Sequence, residues 1–151
     1  MQVTQQTTVN LAADKVWQIL GTDFNNISEW AGVVLESNAI PDIPEGSGRI
    51  CNVKGVGKTV EKLTSFDDDQ RKFSFTFENS TIPFFVKKME NTWSVTPKGN
   101  DQSLVQVNAD VNLMPVFSQL LGGMMSKRLG KGAEGLLGEL KYFAENGKPK
   151  A

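Results

Sequence analysis

A chain of 151 residues, 39% hydrophobic and 22% charged, is long enough for one domain with a sizeable core and too apolar for disorder anywhere but its tail. Sixteen basic side chains against seventeen acidic ones leave a net charge of −1, which excludes a whole-molecule field drawing the protein to nucleic acid or an anionic membrane. The lack of histidine, with Cys51 as the single cysteine, excludes Ser-His-Asp and Cys-His nucleophiles, histidine general bases, the usual zinc sites and an intrachain disulfide.

Residues 1–10 are polar and alternating, without the parts of a secretory leader, and no stretch approaches the roughly 20 apolar residues of a spanning helix. With no need for an oxidising compartment, the expected location is the cytoplasm. Val3, Gln5, Thr7 and Val9 alternate with polar residues as a half-buried strand does. Asp14 favours a helix start, and Val16, Trp17 and Leu20 share one stripe of a helix that should end at Gly21. Phe24, Ile27 and Trp30 mark a second short helix from Asp23.

From Val33 the period becomes two, predicting six further strands: 33–39, 48–54, 58–66, 71–78, 86–96 and 103–113. The breaks carry turn chemistry and are short, which favours an antiparallel meander. Phe73, Phe75 and Phe77 oppose Lys72, Ser74 and Thr76, and Val105 to Leu113 alternates in the same way, so one face is packed. The cover must be the long helix from Pro115 to about Asn146, leaving one domain over 1–146 and a polar tail, 147–151.

That helix changes its apolar face. Phe117, Leu120, Leu121 and Met124 set a stripe that Gly132 and Gly135 then occupy, while Leu129, Leu136, Leu137 and Leu140 lie about a third of a turn round. Either it kinks near Lys127 to Gly132 or its glycines face the sheet, and space beneath the helix, kinking and close packing are all open reasons for them.

Other motifs have plain readings. Gly55-Val56-Gly57-Lys58-Thr59 echoes a phosphate loop, but Asn52 stands where its first glycine belongs and a strand follows, so it is a hairpin turn. Asp67-Asp68-Asp69 lacks calcium-loop spacing. The sequons at Asn26 and Asn79 have no consequence without secretion. Met114, Met124 and Met125 suit either core filling or a wall that adapts to ligands, and Tyr142 suits packing.

Several short motifs recur in a telling order. Ala13-Asp14-Lys15-Val16-Trp17 opens the first helix, Trp30 closes the second, and Gly46-Ser47-Gly48-Arg49 precedes the third strand. Val60-Glu61-Lys62-Leu63 follows with Asp67 and Arg71, then Thr92-Trp93-Ser94-Val95-Thr96-Pro97. With the element order, these resemble the START and birch-pollen-allergen superfamily (SRPBCC), most closely its bacterial polyketide cyclase/dehydrase and lipid-transport branch. The resemblance implies an α+β helix-grip fold: a seven-stranded curved antiparallel sheet wrapped around a long C-terminal helix, with two short helices between strands one and two. It also implies an internal ligand cavity. Carried over, Thr59, Glu61, Leu63, Phe75, Phe77, Met89, Asn91 and Trp93 point inward from the sheet, and Phe117, Leu121, Met124 and Met125 from the helix. Trp30, Pro83 and Phe84 complete the expected contacts. Gly55 to Gly57 is too tight for a hormone-receptor gate, whereas the apolar loop Ser80 to Phe85 suits an entrance or a contact surface.

The leading expectation is a carrier-type protein for a lipid, polyketide or aromatic metabolite, without cofactor or metal, as a monomer or weak homodimer. An alternative is a cyclase or dehydratase in which Glu61, helped by Arg49 or Asn91, moves protons. A third is a protein-interaction module built on Ile82 to Phe85.

Overall fold

The structure, a computed structural model, describes residues 1–44 and 46–151. It contains β1 (Gln2–Val9), α1 (Ala13–Trp17), β2 (Val34–Ala39), β3 (Gly48–Val53), β4 (Gly57–Asp67), β5 (Lys72–Phe77), β6 (Val86–Pro97), β7 (Ser103–Leu113) and α2 (Pro115–Asn146). The seven strands form one antiparallel sheet in the order β1-β7-β6-β5-β4-β3-β2. Strands β2 to β7 pair with their chain neighbours, and β1 crosses to the far side, where Gln2 opposes Asp110.

The helical segment after β1 differs from the regular pair that spacing suggests. α1 passes without a break into a π turn, Gln18–Thr22, and then a 3-10 segment, Phe24–Glu29, whose Asn26 leaves helical geometry at φ −98 and ψ 23. A Cβ on Gly21 would come within 2.6 Å of the Trp17 ring, so the widened turn lies directly on that indole. Asn25 and Asn26 are weak helix formers, which suits the irregular second segment. Phe24, Ile27 and Trp30 are buried nonetheless.

Alternation on β7 is strict: Ser103, Val105, Val107, Ala109, Val111 and Leu113 are all buried. On β4 it fails, with Thr59, Val60 and Glu61 buried in succession. A 3-10 turn, Asn79–Thr81, follows at the end of β5: Glu78 N donates to the Val60 carbonyl at 2.8 Å, and Val60 N donates to Thr81 Oγ1 at 3.4 Å.

α2 runs unbroken for 32 residues, with Pro115 in its first turn and Gly147 closing it at φ 71. Its C-terminal half is seated, with Leu137 and Leu140 buried beside Trp30, Trp93 and Val105. Its N-terminal half is not: Val116, Leu120 and Met124 are 64%, 74% and 51% exposed. Two cores result, a large one beneath the short helices and a smaller one of Val3, Val86, Ala109, Val111 and Leu113 towards the start of α2.

Candidate functional site

Between α2 and the strands β1, β6 and β7 lies a cavity of about 470 Å3. Its sheet wall is Val3, Phe77, Met89, Asn91, Trp93, Val107 and Ala109, and Val33 closes one side. The helix contributes Arg128, Leu129, Lys131, Gly132, Ala133, Gly135, Leu136 and Glu139. Spacings of four, three and four put Arg128, Gly132, Gly135 and Glu139 on one stripe of α2. A Cβ on Gly132 or Gly135 would touch nothing within 4 Å, so these glycines leave space instead of permitting close packing. The helix is continuous through them, and both line the space facing the sheet, the second of the two readings of its shifted apolar face.

The lining is mainly apolar, with two buried polar atoms. Asn91 Oδ1 and Glu139 Oε2 are shut from solvent and accept no hydrogen bond. The Glu139 side chain reaches the loop before β2, where a Cβ on Gly32 would meet Oε1 at 2.9 Å. Arg128 and Lys131 are exposed at the other end of the cavity's helical wall.

The other inward half of the sheet is solid. Arg49 on β3 lies directly opposite Glu61 on β4, and its Nε donates to Oε2 at 2.6 Å, both residues being almost fully buried. Arg49 Nη1 donates to the Phe24 carbonyl at 2.5 Å, and the guanidinium sits 3.8 Å from the centre of the Phe24 ring. A planar, weakly hydrated cation tolerates such a place better than an ammonium would. Burial, and then the Glu61 carboxylate, push the neighbouring Cys51 thiol up to about 12, against the opposing pull of Arg49. Phe73 and Phe75 fill the rest, with Phe24 edge-on to both at 5.3 and 5.9 Å. Trp17 anchors this block by donating Nε1 to Asp68 at 2.6 Å.

The residues singled out from sequence therefore fall in three places. Phe77, Met89, Asn91 and Trp93 line the cavity. Arg49, Thr59, Glu61, Leu63 and Phe75 belong to the packed half, and Trp30 lies edge-on to Trp93 with centroids 6.5 Å apart. Glu61 is one strand from the cavity, facing Phe77 across β4 and β5. Pro83, Phe84, Phe117, Leu121, Met124 and Met125 gather at the start of α2, where Phe117 stacks on Phe85 at 5.0 Å and Phe84 is 76% exposed. Glu139 and Arg128 were not singled out, although their spacing with the two glycines marks the stripe in the sequence itself.

Two further depressions have more polar linings: one of about 410 Å3 between Met1, Lys88, Glu90, Asp110 and Asn112, and one of about 630 Å3 bounded by Gly21 to Asn26, Gly46, Ser47 and Phe66. Among the described residues no three acidic or cysteine side chains form a metal site, and no helix is long and apolar enough to cross a membrane.

A curved seven-stranded antiparallel sheet gripping a long C-terminal helix, with short helices after its first strand, is the helix-grip architecture of the START-like superfamily. Within it, residues 1–145 match the family described as polyketide cyclase / dehydrase and lipid transport, and the chain belongs to that family. Solved structures agree in fold. A START superfamily protein from Mycobacterium smegmatis superposes with a TM-score of 0.69 at 19% identity, covering 94% of this chain and 98% of that one. The di-domain ARO/CYC BexL of the BE-7585A biosynthetic pathway gives 0.80 at 16%, covering 94% and 45%. Truncated norcoclaurine synthase from Thalictrum flavum gives 0.70 at 14%, covering 97% and 94%. No curated protein matches by sequence.

Proposed function

We propose that residues 1–146 form one ligand-binding domain that carries a small, largely apolar molecule, such as a lipid, polyketide or aromatic metabolite, between α2 and the sheet. The observation that carries this reading is the cavity of about 470 Å3, whose wall is Val3, Met89, Trp93, Val107, Ala109 and Leu136 and whose roof is thinned by two glycines. Apolar walls left to water are unfavourable, and an apolar occupant removes that surface from water. Membership of a family described by both cyclases and lipid transport supports ligand binding in general.

A carrier reading is preferred to proton-transfer catalysis by Glu61, because that carboxylate is already engaged by Arg49 at 2.6 Å. Solvent extraction of freshly purified protein followed by mass spectrometry, with Nile red titration of the stripped protein, tests the proposal. Co-extraction of a defined small molecule, or saturable dye binding at one site, is expected. Protein that extracts empty and leaves the dye unbound overturns it.

A further inference from the structure

The cavity is chemically lopsided. One end of its helical wall carries exposed Arg128 and Lys131, and eleven residues on, roughly 16 Å along the axis, the same stripe ends in Glu139. Across from the helix, Asn91 projects from β6 into the same space. Asn91 Oδ1 and Glu139 Oε2 are both acceptors, both closed to solvent, and neither receives a hydrogen bond from the protein. Buried polar atoms in folded proteins are nearly always paired, and an unpaired carboxylate oxygen is the less tolerable of the two. Arg128 and Lys131 are exposed, and neither they nor the Trp93 indole N–H donates to either oxygen.

We propose that the ligand places a hydrogen-bond-donating head, a hydroxyl or an ammonium group, between Asn91 and Glu139. Its apolar body then lies beneath Gly132 and Gly135 against Met89, Val107 and Ala109. A carboxylate or phosphate head is disfavoured there, because it sets a second negative charge against the Glu139 carboxylate. This rests on the cavity-binding reading above and names the chemistry of the occupant.

The test is competition against Nile red with four amphiphiles of one chain length: decanol, decylamine, decyl methyl ether and decanoate. Decanol or decylamine should displace the dye about tenfold better than the ether and the decanoate, the worth of one ordinary net hydrogen bond. Decylamine ahead of decanol assigns an ammonium head, and parity assigns a hydroxyl. Glu139→Gln should remove the decylamine advantage, and Asn91→Leu should reduce the decanol advantage, each read as the ratio to decyl methyl ether within the same variant so that any change in dye affinity cancels. Equal displacement by decanol and the ether, or strongest displacement by decanoate, overturns the inference while leaving the cavity reading intact. Failure of the dye to bind at all overturns both.

Discussion

The two halves of the inner sheet face are made from the same strand chemistry and end in opposite states. Over β3 to β5, the short helices lower Trp17 and Phe24 onto Phe73 and Phe75, and the Arg49–Glu61 pair fills the remaining polar gap. Over β6, β7 and β1 the cover is α2, which offers glycine where the other cover offers aromatics. Aromatic volume closes one side and missing side-chain volume opens the other. Each half accordingly has its own inward carboxylate: Glu61 is partnered and structural, and Glu139 lines the cavity with one buried oxygen unpartnered.

The sharpest break of this contrast is Glu61→Ala. It strands the Arg49 cation in the packed half and should cost about 3–5 kcal/mol by urea denaturation. A loss of less than about 1 kcal/mol, the range of a surface pair, would show that Arg49 finds solvent. Leu140→Ala, where α2 is fully seated, should cost about 2–5 kcal/mol, with the lower midpoint and unchanged slope of a cavity mutant.

Gly135→Met tests the open half. The new side chain enters existing space and replaces a poor helix former, so stability should hold or rise by up to about 1 kcal/mol. Nile red binding should be lost in the same variant. A stable variant that binds dye normally would place the binding site elsewhere.

The Cys51 thiol gives a pH signature of the packed half. Below 9.0 it is neutral in both folded and unfolded chains; between 9.0 and about 12 only the unfolded chain ionises, so stability falls as pH rises through that window. Cys51→Ala should flatten this alkaline fall, and native Cys51 should resist alkylation at pH 9 until urea is added. Smallest of all, Phe84→Ser at the exposed tip should change stability by no more than about 0.5 kcal/mol.

Much of this architecture was legible in the chain. Period-two runs located all seven strands, while the glycines of α2 left space, kinking and close packing equally open until the structure showed nothing within reach of a Cβ at Gly132 or Gly135. The irregular helical stretch was not legible, because a π turn depends on Gly21 meeting a tryptophan ring, which no local pattern records. Nor was the direction of Glu61 readable by parity, since Thr59, Val60 and Glu61 are buried in succession and both faces of β4 are covered there. Glu139 was masked by its surroundings: Gly138, Leu140 and Lys141 make it look like one more solvent-side charge, and only the stripe shared with Gly132 and Gly135 sets it apart.

The crossing of β1 to the far side of the sheet has a kinetic meaning. Strands β2 to β7 can zip together from adjacent hairpins as they are synthesised, but β1 has β7 as its sole strand partner and must wait about 100 residues for it. α2 is later still, and Lys141 ties it back to the Thr8 carbonyl at 2.7 Å. Val3 and the helix supply opposite walls of the cavity. The pocket is therefore the last thing the chain makes, closed by its first strand and its final helix together, and a nascent chain has an unpaired leading strand in place of a binding site until that moment.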